Sequence, residues 1–172
     1  MWIAGGFYNA RKAPRSRVRT RFSAASLAAT AIAVAAVTLT DHEQWGAVEV
    51  HARWVGVLGL VVLAAASAFT IWARVVLGTM WSADAAVKQG HHLRTDGPYA
   101  VTRHPIYTGI LGMLLGSTLL SGVGRWLLLV PIGLVVVAAK IRAEERLMVE
   151  TFPEEYPAYR RRVPALVPVL RR

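Results

Sequence analysis

The chain has 172 residues, a hydrophobic fraction of 55% and a mean hydropathy of +0.41, yet its formal net charge is +10. Apolar runs that alternate with basic clusters indicate a membrane protein of several spans and about one domain. Cysteine is absent, which excludes a disulfide framework, thiolate metal ligands, iron–sulfur clusters and a cysteine nucleophile.

Four apolar segments are predicted to cross the membrane, since a span needs roughly 20 residues for a hydrocarbon core of about 30 Å. Residues 22–40 and 54–73 contain no charge, whereas residues 105–120 and 126–139 are shorter and are joined by a turn-like sequence at 121–125. We predict a transmembrane hairpin over 105–139 because the last helix can continue through Lys140 and Arg142, whose side chains can snorkel. A re-entrant hairpin is the alternative.

The basic residues predict the orientation of these spans. Of the 20 lysines and arginines, 18 lie in residues 1–21, 74–104 and 140–172, on one side of a four-span topology. The positive-inside tendency makes that side, with both termini, cytoplasmic in what we expect to be a bacterial inner membrane. The basic excess then requires no nucleic-acid partner. A cleaved signal peptide over 1–40 is the alternative. We favour a retained first span, because the four-span count then places most basic residues on one side of the membrane.

The predicted fold class is therefore an all-α integral membrane protein of about four transmembrane helices. Its parts are a basic cytoplasmic N-terminus at 1–21, two transmembrane helices at 22–73, and a core at 74–172 that contains the hairpin and a cytoplasmic C-terminal segment. In the third span, Gly109, Gly112 and Gly116 recur at three- and four-residue spacing, which predicts close helix packing. Room for a ligand or a lipid tail is the alternative.

A polar cluster precedes the third span. Pro105 suits the first position of a helix because its missing N–H costs nothing there and its φ is fixed. Arg103 and His104 then lie at the helix N-terminus, where free N–H groups and the helix dipole favour an anion. The alternative is that both residues anchor the interface to lipid headgroups.

A second polar cluster follows the fourth span. Glu144 and Glu145 are paired carboxylates just inside a membrane boundary, which is costly unless they meet water, cations or a polar ligand. Ordinary helical salt bridges, such as Arg142 with Glu145, explain much of this pattern as well. The run at 160–162 is all arginine, and its simplest role is attachment to anionic lipid.

Phosphate-binding, dinucleotide-binding, serine-hydrolase and zinc-protease motifs are absent from the sequence. His91 and His92 are adjacent rather than three to five residues apart, so we predict no metal site.

A specific order of polar, aromatic and turn residues extends over about 75–170. These residues are Leu77, Gly78, Trp81, Ser82, Leu93, Gly97, Pro98, Tyr99, Arg103, His104, Pro105, Tyr107, Gly109, Glu144, Glu145, Leu147, Phe152, Tyr156, Tyr159, Val163, Pro164 and Pro168. Their order resembles that of the isoprenylcysteine carboxyl methyltransferase family. The broader group includes phospholipid N-methyltransferases and bacterial thiol methyltransferases. Pro153 departs from the family, which usually has glycine after the phenylalanine.

This resemblance implies a membrane enzyme that uses S-adenosylmethionine. The cofactor would bind in a pocket between the last helical hairpin and a cytoplasmic C-terminal tail. The family's motifs fall on Arg103, His104, Tyr107, Gly109, Glu144 and Glu145. The tyrosines that would wall the pocket are Tyr99, Tyr107, Tyr156 and Tyr159. As a hypothesis, Arg103 and His104 bind the carboxylate of S-adenosylmethionine. Glu144 or Glu145 would then accept hydrogen bonds from its ribose hydroxyls or its ammonium group.

For catalysis the candidates are Arg142, Glu145 and His104. Arg142 would touch an anionic substrate or pair with a glutamate, and a glutamate or His104 would deprotonate an amine or thiol acceptor, whereas a carboxylate needs no base. We expect a lipophilic acceptor from the bilayer: an isoprenylcysteine-like carboxylate, a lipid amine or a small thiol. The alternatives are a sterol-reductase-type enzyme that uses NADPH and a non-catalytic lipid-binding protein. The sequence does not predict the oligomeric state.

Overall fold

A computed structural model describes residues 52–78 and 93–167, with scattered residues between 28 and 39. Within the two long ranges every regular element is a helix: α1 (Arg53–Leu77), α2 (Pro105–Leu120), α3 (Leu129–Thr151) and α4 (Glu155–Arg162), with 3₁₀ turns at Gly97–Ala100 and Arg125–Leu128. The expected all-α class is confirmed for this part of the chain. The predicted N-terminal segment 1–21 and most of the first span, 22–40, lie outside it.

Helix α1 confirms the helix predicted at 54–73 and extends it to Leu77. Gly78 ends the helix because it adopts a φ of 56°, which glycine reaches without strain, and its N–H returns to the carbonyls of Arg74 and Val75. The Arg74 guanidinium also donates to the Gly78 carbonyl at 2.7 Å. The turn that leaves α1 is thereby well defined.

Helix α2 begins at Pro105, as predicted, and is 16 residues long, or about 24 Å at 1.5 Å per residue. Helix α3 continues without a break from its apolar half through Lys140 and Arg142 to Thr151, which confirms the expected continuation. By length and composition, Arg53–Leu77 and Trp126–Thr151 are candidate membrane spans. Full crossing by the 105–139 hairpin and the count of four spans stay predictions.

The surfaces of α1 and α3 are apolar and largely unburied. On α1, Trp54 is 70% exposed and Val75 71%, and on α3, Val135 is 69% exposed. A water-soluble fold rarely leaves so many large apolar side chains in contact with solvent, whereas a bilayer offers them an apolar environment. These two helices therefore present lipid-facing surfaces.

Helices α1 and α2 pack backbone against backbone through their glycines. A Cβ on Gly116 would lie 2.7 Å from the Leu63 nitrogen, and one on Gly112 would lie 2.8 Å from the Ala66 Cβ. A Cβ on Gly109 would overlap the Thr70 hydroxyl. The predicted packing role of this glycine row is confirmed, because α1 fills the space beside it. The contact also fixes where the first turn of α2 lies.

The connection between α3 and α4 accommodates the departure at Pro153. The Phe152 N–H donates to the Met148 carbonyl at 2.8 Å and closes α3, and the Phe152 carbonyl accepts from the Tyr156 N–H at 3.1 Å. Pro153 is exposed between these bonds, where its missing N–H leaves no donor unsatisfied.

Two glycines of α1 test the packing of α1 on α2. A Cβ on Gly59 would lie 2.8 Å from the Leu120 nitrogen and 2.9 Å from the Gly116 oxygen, both backbone atoms, whereas a Cβ on Gly56 would meet nothing within 4 Å. Gly59→Ala is expected to lower stability by about 1–3 kcal/mol through overpacking, measured as thermal unfolding in detergent. Gly56→Ala is the control and should be neutral or slightly stabilising. Equal melting temperatures for the two variants would contradict this packing.

Candidate functional site

The site lies where the segment before α2 meets the polar half of α3 and the C-terminal segment. Arg103 and His104 come just before Pro105, and Glu144 and Glu145 lie four turns into α3, past its apolar half. Most of these side chains are buried, since the exposed fraction is 9% for Arg103 and His104 and 10% for Glu145. The structure therefore brings together the two polar clusters that the sequence singled out.

Arg103 is the centre of this cluster. Its Nε and Nη2 donate to one oxygen of Glu145 at 2.9 and 2.6 Å, and Nη1 donates to the backbone carbonyls of Arg160, at 3.1 Å, and Val163. Four hydrogen bonds thus use most of the five donors of a guanidinium. Charge-assisted bonds of this kind are roughly twice as strong as neutral ones, so Arg103 ties α3 and the C-terminal segment to the start of α2.

The C-terminal segment lies across the start of α2 and is called here the strap, residues 163–167. The Arg103 N–H donates to the Pro164 carbonyl at 2.8 Å, and the His104 N–H donates to the Ala165 carbonyl at 3.1 Å. The hydroxyls of Thr102 and Thr108 donate to the carbonyls of Ala165 and Leu166 at 2.7 and 2.6 Å. The strap therefore accepts hydrogen bonds from the backbone N–H groups of the two residues just before Pro105.

His104 lies between the two carboxylates. Its Nε2 is 3.4 Å from a Glu145 oxygen and its Nδ1 is 3.7 Å from a Glu144 oxygen. The ring also stacks on Tyr107 with centroids 5.8 Å apart. Within the described ranges, no group of three or more metal-ligating side chains has the geometry to hold a metal ion. His104 is thus placed to share a proton with, or orient, either glutamate.

Glu144 is the more open carboxylate, with 26% of its side chain exposed. One of its oxygens accepts a hydrogen bond from the Tyr107 hydroxyl. One turn nearer the apolar half of α3, the Lys140 ammonium lies 6.0 Å from the centre of the Tyr107 ring. This side of the cluster combines an accessible carboxylate, an aromatic face and a cation, which suits a polar, charged ligand.

The tyrosines Tyr99, Tyr156 and Tyr159 form a buried wall behind Arg103, with 8%, 3% and 3% of each residue exposed. The Tyr159 hydroxyl donates to the Tyr99 carbonyl at 2.6 Å, and the rings of Tyr156 and Tyr159 meet edge to face at 6.0 Å. Burial raises the pKa of all three hydroxyls, because it disfavours the charged phenolate form.

Tyr156 differs from the other two tyrosines. Its buried hydroxyl has no hydrogen-bond partner among the described residues. Burial and the charge of Glu145 raise its pKa, and the neighbouring Arg103 guanidinium only partly offsets this. A buried donor without a partner costs about 1–3 kcal/mol, so this hydroxyl is available to an acceptor atom of a ligand.

The structure separates two predicted residues from the cluster. Arg142 is exposed on α3 and is not paired with Glu145, whose partners are Arg103, His104 and Arg160. Gly109 is buried against Thr70 of α1, where it serves packing. The contacts of Thr102, Thr108 and the strap carbonyls were not predicted. Arg160, for which the sequence predicted attachment to anionic lipid, has its Nε 3.5 Å from a Glu145 oxygen.

Comparison with known proteins gives consistent results. Residues 57–150 match the model of the isoprenylcysteine carboxyl methyltransferase (ICMT) family. The chain is 28% identical over 129 residues to the cobalt-zinc-cadmium resistance protein CzcN of Cupriavidus metallidurans, covering 70% of this chain and 56% of CzcN. It is 35% identical over 83 residues to the protein-S-isoprenylcysteine O-methyltransferase of Schizosaccharomyces pombe, covering 46% of this chain and 34% of that enzyme.

Two further comparisons extend this result. The nickel-cobalt-cadmium resistance protein NccN of Alcaligenes xylosoxydans is 29% identical over 139 residues, which is 77% of this chain and 58% of NccN. The solved structure of the eukaryotic intramembrane Ras methyltransferase ICMT shares the fold with a TM-score of 0.63 at 22% identity, over 68% of this chain and 43% of that one. The chain spans 34–58% of the length of its three curated relatives.

The contact between Arg103 and Glu145 can be tested by a double-mutant cycle. Arg103→Ala leaves the buried Glu145 carboxylate short of its main partner and is expected to cost about 3 kcal/mol of stability. Arg103→Ala combined with Glu145→Ala should cost clearly less than the sum of the single changes. The measurement is unfolding of the purified protein in detergent. Arg142→Ala, an exposed change on α3, is the control and should stay within about 0.5 kcal/mol. Additive costs would contradict the ion pair.

Proposed function

The chain belongs to the ICMT family, and we propose that it is an S-adenosylmethionine-dependent methyltransferase that acts on a lipophilic acceptor at the cytoplasmic face of the membrane. The observation that carries this proposal is the convergence of Arg103, His104, Glu144 and Glu145 at the end of the apolar part of α3. The two bacterial relatives suggest that this membrane is a bacterial inner membrane.

The side chains of the site fit the polar groups of S-adenosylmethionine. Glu144 is accessible and can accept hydrogen bonds from ribose hydroxyls or from an ammonium group. The unpartnered Tyr156 hydroxyl offers a donor for an oxygen of the ligand. Arg103 is already committed to Glu145 and to the strap, so we assign it to the positioning of these groups and assign the direct contacts to Glu144, His104 and Tyr156.

The bound cofactor supplies a methyl group that its sulfonium has already activated. The chain has to orient the acceptor, exclude water and stabilise charge in the site. Tyr107 presents an aromatic face beside Glu144, and such faces attract cations. His104 is held between two carboxylates, where it can take a proton from an amine or thiol acceptor, while a carboxylate acceptor requires no base.

Lys140 favours a carboxylate acceptor over a lipid amine or a thiol. Its ammonium lies near the Tyr107 ring, one turn from Glu144 toward the apolar half of α3. An acceptor that enters from the bilayer would meet this cation before it reaches the carboxylates. A carboxylate headgroup is attracted there and a cationic amine is repelled. The fission-yeast relative is named for an isoprenylcysteine acceptor, which agrees with this preference.

Binding of S-adenosylhomocysteine tests the proposal. Isothermal titration of the detergent-purified protein is expected to show saturable binding. Glu144→Gln should weaken that binding by about tenfold or more, because a charge-assisted hydrogen bond contributes about 1.5–3 kcal/mol. Glu150→Gln, an exposed glutamate on the same helix, is the matched control and should bind as wild type does.

The other outcomes identify the alternatives. Folded wild type that binds NADPH and not S-adenosylhomocysteine would be a reductase, and binding of neither would favour a non-catalytic lipid-binding protein. If S-adenosylhomocysteine binds, transfer of a labelled methyl group is compared between a farnesylated cysteine with a free carboxylate and a lipid amine. Methylation of the amine alone would contradict the role given to Lys140.

A further inference from the structure

Four arginines at the polar end of the fold are exposed: Arg142 and Arg146 on α3, and Arg161 and Arg162 at the end of α4. None of the ion pairs between described residues uses them. The site described above does not use them either, because its contacts lie on the Glu144 and Glu145 side of α3. They leave a concentrated positive charge without a partner in the described part of the chain.

The geometry of α3 shows which environment this charge faces. Val135 is 69% exposed on the lipid-facing surface, and Arg142 follows it by seven residues, or two turns, on the same face. Arg146 follows one turn later. At 1.5 Å per residue, Arg142 lies about 10 Å along the axis from Val135. The stripe that faces lipid therefore changes from apolar to basic over the distance that separates acyl chains from headgroups.

Helix α4 adds its charge at the same level. The Arg160 Nε lies 3.5 Å from a Glu145 oxygen, which places the last turn of α4 beside the turn of α3 that carries Arg142 and Arg146. Arg161 and Arg162 follow directly and are exposed. The nearest exposed acidic residue on α3 is Glu150, one turn beyond Arg146, and Glu154 and Glu155 lie at the opposite end of α4. The net charge of this surface stays positive.

We propose that Arg142, Arg146, Arg161 and Arg162 form a binding surface for anionic phospholipid headgroups, and that Arg142 serves lipid binding rather than contact with the methyl acceptor. Arginine suits a phosphodiester because its planar guanidinium donates two parallel hydrogen bonds to phosphate oxygens. The continuity of the surface with the lipid-facing stripe of α3 selects a headgroup held in the membrane over a soluble anion. The proposal does not depend on methyl transfer.

The test measures lipid preference around the full-length protein. The protein is placed in nanodiscs with spin-labelled phosphatidylglycerol or spin-labelled phosphatidylcholine, and the motionally restricted fraction of each label is compared. Wild type is expected to prefer phosphatidylglycerol by about fivefold or more, since one basic residue near an anionic surface contributes about that factor. High salt should reduce the preference. The variant with all four arginines changed to glutamine should lose most of it.

The controls separate this surface from other positive charges. Arg94→Gln removes an exposed arginine, which pairs with Asp96 at 3.6 Å, and should leave the preference unchanged. If the quadruple variant does not fold, the Arg161→Gln, Arg162→Gln pair is measured instead and should lose part of the preference. Equal association of both labels with wild type, or an undiminished preference in a folded variant, would overturn the proposal. Displacement by soluble glycerol phosphate as effective as by phosphatidylglycerol would also overturn it.

Discussion

The guanidinium of Arg103 organises the polar end of this protein. It bonds to a carboxylate 42 residues later in the chain and to carbonyls 57 and 60 residues later. Both charged groups are nearly buried, and two charges taken out of water are stable only when they are well paired and hydrogen-bonded. Arg103 and Glu145 can both be paired and hydrogen-bonded only if α2, α3 and the strap meet. The location of the site therefore follows from this one contact.

The glycine contact of α1 with α2 supplies the second constraint. Backbone contact at Gly59 and Gly116, and contact of Gly112 with the Ala66 side chain, hold α2 against α1. Thr70 of α1 lies against Gly109, two residues after Tyr107. The first turn of α2 is thus held by α1 on one side and by the strap on the other. Tyr107 and His104 are rigidly placed as a result, and Glu144 remains the accessible group. A rigid frame with one accessible carboxylate is the kind of arrangement that orients a ligand for group transfer.

The sequence predicted much of this arrangement for physical reasons. Pro105 could start a helix and α3 could continue through Lys140, since both follow from local backbone chemistry and hydropathy. The glycine spacing predicted close packing without showing which helix would fill the space. Arg103 was predicted to hold an anionic ligand, whereas the anion beside it in the fold is Glu145. The hydrogen bonds of Arg103 to the carbonyls of Arg160 and the strap join residues that are far apart in the sequence. Such contacts leave no periodic pattern in the sequence. The contacts of Arg160, Thr102 and Thr108 were therefore not predicted.

The most direct test of the central claim is amide hydrogen exchange at His104. Its N–H donates to the Ala165 carbonyl, so its protection reports whether the strap stays on α2, and the His104 side chain is unchanged in Arg103→Ala. Arg103→Ala is expected to raise the exchange rate of this amide by about tenfold or more, which corresponds to about 1.4 kcal/mol, whereas Arg142→Ala should not change it. Equal protection in wild type and both variants would show that Arg103 does not hold the site together.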